Sequence, residues 1–175
     1  MIRKAHGFAL IDLIFVCGII GLVASIAAPR FLLAKQSAGS ASAIGSMRAI
    51  SSAELTFALT CGSGFYAPSL TALGTAPAGS RDGFIGGGLG VADTVIRGGY
   101  IVQLDAQPFA GAPASCNDIE AGLTGQGFRA AADAVGAGNT RFFAVNSGGM
   151  IFEHTASLFA DMPEVVEPPI GHPLR

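Results

Sequence analysis

The sequence predicts an α+β chain: a long N-terminal α-helix, transmembrane in its first half, packed on a three- to four-stranded antiparallel sheet. Three observations predict it. Residues 8–28 carry a single charge, Asp12; residues 31–60 contain no proline and abound in Ala, Leu, Ile and Met; and clear strand signals begin only at Gly99. With 175 residues, half of them hydrophobic and only 13% charged, the chain fits one modest domain plus an anchor.

The first element is the apolar run. At about 1.5 Å of rise per residue, Phe8 to Ala28 reaches roughly 30 Å, the thickness of a bilayer's hydrocarbon layer. A removable secretory signal has an apolar core of only about 7–15 residues. Ala27 and Ala28 offer small residues for cleavage, but Ile26 breaks the small-x-small pattern. A plain anchor and a cleaved signal remain the alternatives. Asp12 asks for more, because a lone acid in a spanning helix costs about 2.5–3.5 kcal/mol on insertion scales and tends to face a partner.

The residues around Asp12 carry a resemblance. Gly7-Phe8-Ala9-Leu10-Ile11-Asp12-Leu13-Ile14, with Arg3 and Lys4 before it and Gly21 and Pro29 after it, resembles the type IV prepilin and pseudopilin signature, a class III signal peptide. The resemblance divides the chain into a leader (1–7), a transmembrane and polymerisation helix (8–29), a continuation of that helix (30–60), and a head (61–175) with a long glycine-rich loop and an antiparallel sheet. It implies cleavage by a prepilin peptidase between Gly7 and Phe8, N-methylation of Phe8, and assembly through Asp12, Gly21 and Pro29. The family's acid is usually Glu; Asp12 keeps the charge on a side chain one methylene shorter.

The implied function is structural and not enzymatic: a subunit of a type IV pilus or related filament. The implied partners are identical or homologous pilin subunits in a helical homopolymer, the peptidase, the inner-membrane assembly machinery, and the membrane itself before assembly. The precursor would lie in the inner membrane, N-terminus cytoplasmic and head periplasmic. After assembly it would stand in an extracellular pilus or a periplasmic pseudopilus. The alternatives are a type II secretion pseudopilin and a membrane-tethered periplasmic binding module that never polymerises.

Beyond Pro29 the helix is expected to continue to about Thr60, with room for a kink at the proline. Phe8 to Thr60 would make about 80 Å of helix. Gly39 and Gly45, with Ser37, Ser40, Ser42 and Ser46, form a stretch of poor helix propensity, read either as a close-packing surface or as a flexible linker. Ile44, Met47, Leu55, Ala58 and Leu59 share one side, into which Arg48 and Glu54 intrude.

Cys61 to Gly99 is dense in glycine, with Pro68 and Pro77, and reads as a long excursion holding at most a short helix near Ser69–Leu73. Strands follow at Tyr100–Asp105 and, more weakly because of its alanines, at Gly127–Val135. The clearest hairpin is Arg141–Asn146, the turn Ser147-Gly148-Gly149, and Met150–Thr155. The tail from Pro163 has four prolines and reads as an extended, partly ordered end.

Charge and cysteines narrow the function classes. Residues 1–60 hold five Lys/Arg against two acids, a net of +3, and residues 61–175 hold five Arg against ten acids, a net of −5. A lysine-free acidic head argues against sequence-independent nucleic-acid binding. Cys17 lies in the apolar run, whereas Cys61 and Cys116 are candidates for a disulfide, with two free buried thiols as the alternative. A bond would put the head in an oxidising compartment and so fix the topology.

Catalytic patterns do not emerge. Gly125-Gln126-Gly127-Phe128-Arg129-Ala130 has the letters of a dinucleotide loop, without a preceding hydrophobic strand or an acid about 20 residues on. His154 and His172 make no recognised metal pair. Asp105, Asp118, Glu120 and Asp133 are not spaced as a calcium loop. No cofactor or metal is therefore assigned.

Overall fold

The structure is a computed structural model that describes residues 10–136 and 138–174. By internal contacts the chain divides into two compact units, Met1–Ser37 and Ala38–Arg175.

The first described element is α1, an α-helix over Leu10–Thr60 that runs unbroken through Pro29. Proline has no N–H, so the Ser25 carbonyl loses its helical partner there; the Ser25 hydroxyl bonds the Leu22 carbonyl at 2.8 Å. Within the first unit no residue of the helix is fully buried: Leu10, Phe15, Ile20, Val23 and Ile26 are all exposed. The most apolar window of α1 has a mean hydropathy of 2.6, long and apolar enough to cross a membrane, with none of it buried inside the chain.

In the second unit α1 has a buried side. Ser40, Ala43, Met47, Ile50, Ala53 and Phe57 recur every three or four residues, the period that keeps one helix face turned to a core, with Glu54 beside Ala53. Much of this face is small, and the small residues admit close contact. A Cβ on Gly39 would stand 2.6 Å from the Gly98 carbonyl oxygen. Next to it, the Ser40 and Tyr100 hydroxyls are 3.1 Å apart. The stretch 39–46 is therefore packed helix and not a linker. The side expected from sequence is corrected in part: Leu55 and Leu59 are 54% and 76% exposed, while Glu54 is fully buried.

After α1 come a short α2 (Leu70–Gly74), capped at Ala72 N–H by the Ser69 hydroxyl, and a 3-10 turn at Leu89–Val91. Six strands follow among the described residues: β1 Thr94–Arg97, β2 Tyr100–Asp105, β3 Arg129–Ala134, β4 Phe142–Asn146, β5 Ile151–His154 and β6 His172–Pro173. They form one antiparallel sheet in chain order, β1-β2-β3-β4-β5-β6. The antiparallel α+β architecture is as expected, but the sheet has six strands instead of three or four. The added ones are β1, joined to β2 through Gly98 and Gly99 at φ 61° and 83°, and β6 in the proline-rich tail. Positive φ at both turn residues is the demand that Gly-Gly meets.

Register explains the alanine-rich β3. Ala130 and Ala132 face α1 beside Val145 and Phe143, while Ala131 faces the other way beside Ala144. That second face is covered by the tail, where Leu158 and Met162 are fully buried against Phe152. A strand covered on both faces has little room for large side chains, which overrides alanine's helical preference. The tail is correspondingly tied down: Asn146 donates to the carbonyls of Pro163 and Val166 at 3.0 and 2.7 Å.

Candidate functional site

Gly7 and Phe8, the expected processing residues, lie outside the described residues. Asp12 stands in the first described turn of α1, exposed, with Gly21 and Pro29 on the same exposed stretch. Apart from the helix's own nearby backbone, no atom of the described residues lies within 4 Å of a Cβ at Gly18 or Gly21. At Gly18 the missing side chain leaves a groove of about 380 Å³ lined by Ile14, Phe15, Ile19 and Leu22. Such an apolar notch admits lipid or the side chain of another helix.

In the second unit the exposed side of α1 is formed by Ala41, Gly45, Arg48, Ser52, Leu55 and Leu59, spaced three or four apart. It is small and apolar, with one cation. A Cβ at Gly45 would meet nothing within 4 Å.

The end of α1 is bolted down covalently. Cys61, directly after the helix, is bonded to Cys116 with an S–S distance of 2.04 Å and a separation of 55 residues. Beside the bond, Asn117 donates to the Ala72 carbonyl at 2.8 Å, so the staple also holds α2. Sequence reasoning found both cysteines and missed Asn117, which has no composition signal. Cys17 is free and exposed on the apolar stretch.

Glu54 sits about two helical turns before that bond. Desolvation by burial pushes its carboxyl from the ordinary 4.5 up to about 8, against the smaller opposing pull of the Ala67 N–H. It is a fully buried acid, uncharged at neutral pH. Two ion pairs lie toward the surface: Arg129–Asp105 at 2.8 Å and Arg141–Glu153 at 2.5 Å. Hydrogen bonds from Arg141 hold the Glu153 carboxyl below its usual range. Arg141, Glu153 and His172 line a cleft of about 480 Å³ beside Pro173 and Leu174. An arginine already neutralised by its neighbour offers that cleft no strong anion site.

The remaining sequence patterns are absorbed by packing. Gly125 bridges to Tyr66 and Pro108, and a Cβ on Gly127 would collide with Glu164 and Val165. His172 stands opposite Glu153 in register, and His154 opposite Phe142. Asp105 is paired with Arg129, and Asp133 accepts from Ser157 at 2.8 Å. Among the described residues no group of three or more His, Cys, Asp or Glu is arranged to hold a metal ion.

No family model matches this chain, and neither the curated proteins nor the solved structures yield a match.

Proposed function

We propose that the chain is a filament subunit of the type IV pilin kind, exported as an inner-membrane precursor and polymerised through α1. The observation that carries the proposal is an apolar helix segment that buries none of its surface in its own chain yet continues into the helix that forms the core of the head. Such a segment needs an external partner. Lipid satisfies its apolar side chains but not the carboxylate of Asp12. A neighbouring subunit satisfies both, through helix packing at Gly18 and Gly21 and through the processed amine of Phe8 set against Asp12.

On this reading a prepilin peptidase cuts after Gly7, Phe8 is methylated, and the head stands on the oxidising side of the membrane, where the Cys61–Cys116 bond persists. Arg3 and Lys4 then stay in the cytoplasm. The exposed small-residue side of α1 becomes a packing surface between copies.

The test is N-terminal mass analysis of material sheared from the cell surface. A first residue of methylated Phe8 is expected. Sheared or membrane protein that still begins at Met1 overturns the proposal.

A further inference from the structure

The two edges of the sheet are built differently. At one, β6 is two residues long and contains Pro173, which has no N–H to offer a further strand. At the other, β1 pairs with β2 alone, and it carries no proline, lysine or bulge. Thr94, Val95 and Ile96 are β-branched, and Ile96 is 69% exposed. Proteins blunt such edges with proline, charged side chains, bulges or very short strands; of these β1 has its four-residue length and Arg97.

The free edge has a defined bonding pattern. The two-residue Gly98-Gly99 turn makes Arg97 and Tyr100 a hydrogen-bonded pair. By alternation, Val95 also bonds toward β2, and the N–H and C=O groups of Thr94 and Ile96 point outward.

We propose that β1 is a docking edge for β1 of a second copy of this chain, the strands running antiparallel about a two-fold axis at Val95, with Asp93 of each copy opposite Arg97 of the other. The segment Asp93-Thr94-Val95-Ile96-Arg97 is self-complementary in this register. Thr94 opposes Ile96, so outward donors meet outward acceptors, and Val95 opposes its own counterpart. Asp93 and Arg97 fall in non-hydrogen-bonded pairs, where side chains come closest. A slip of one residue sets inward-bonding groups against outward ones. A slip of two restores the bonding but leaves Asp93 or Arg97 opposite Val95 and removes the charge pairing.

Both charges are available. Hydrogen bonds from Thr71 and Ser69 hold the Asp93 carboxyl below its ordinary value, so it stays anionic. Arg97 donates from Nη1 to the Gly87 carbonyl at 3.0 Å, and its guanidinium has further donors. The pairing uses no part of the apolar helix. It therefore stands whether or not the chain polymerises through α1.

The test is cross-linking of the full chain in its membranes, in a Cys17→Ser background. Val95→Cys places a thiol at the axis, where mild oxidation should trap a covalent dimer, with the joining peptide identified by mass. Yield should fall by about tenfold with Ile96→Pro, which removes an outward N–H and leaves the bonds to β2 intact, and likewise with Arg97→Asp. Adding Asp93→Arg to the Arg97→Asp chain should restore it. No dimer from Val95→Cys, an adduct to a different protein, or an equal yield from Ser157→Cys overturns the inference.

Discussion

Glu54 and Ala67 meet inside the core. The Ala67 N–H donates to Glu54 Oε2 at 2.9 Å, while Oε1 of the same carboxyl has no hydrogen-bond partner. One backbone donor does not compensate a charge removed from water, so the side chain keeps its proton.

Stability should therefore fall as pH rises. The folded carboxyl titrates at about 8 and the unfolded one near 4.5, so between these values the native state holds a proton that the unfolded state has released. The contribution is complete below 4.5, declines by up to about 1.4 kcal/mol per pH unit across the window, and is flat above about 8. Glu54→Gln should flatten the dependence and be the more stable chain at the alkaline end. Thermal unfolding followed by circular dichroism across that window checks both statements.

Removing the staple should be costly. Closing 55 residues constrains the unfolded chain by about 4 kcal/mol in the loop-entropy model. The double substitution Cys61→Ala/Cys116→Ala should lower the denaturation midpoint accordingly. An unchanged midpoint would mean that the packing around Asn117 holds the end of α1 unaided.

Two glycines on α1 should respond in opposite directions. Gly39→Ala places a methyl 2.6 Å from the Gly98 carbonyl oxygen and should destabilise the head by about 1–3 kcal/mol. Gly45→Ala meets nothing of its own chain and should stabilise the helix by about 0.5–1 kcal/mol. If the exposed side of α1 packs between copies, Gly45→Ala should nevertheless reduce filament yield. Paired measurements of unfolding and of sheared filament separate the two effects.

Asp12→Ala should leave cleavage after Gly7 intact and abolish polymerisation. Immunoblotting of processed subunit in membranes, alongside electron microscopy of surface filaments, reads both. Abundant filaments from this variant would remove the carboxylate from the assembly mechanism.

Legibility in the sequence followed side-chain size. Strands β2, β4 and β5 were readable because Val, Ile and Phe alternate along them or flank a turn. The Gly98-Gly99 turn was a comparable hairpin signal, but β1 lay in a glycine-dense stretch whose strand residues number only four. The buried side of α1 was misread at Leu55, Leu59 and Glu54 because close packing against Tyr100 and Gly98 rewards Gly39, Ser40 and Ala43, residues to which hydrophobic periodicity is nearly blind. The prolines from Pro163 onward suggest a loose tail and hide β6, and Leu158 and Met162 lie in the short unassigned stretch before it; the carboxamide of Asn146 ties the tail to the sheet. The cysteine pair was legible by elimination of Cys17. Asp12, Gly21 and Pro29 were legible as a spaced pattern, and their roles rest on the assembly experiment.

The covalent loop from Cys61 to Cys116 also has a mechanical meaning. Tension entering the head along the helix would pass from Cys61 straight to Cys116, shielding everything between them from stretch. Pulled to full extension, the bridged 55 residues would add roughly 180–200 Å of contour length, which an oxidised molecule withholds and a reduced one releases.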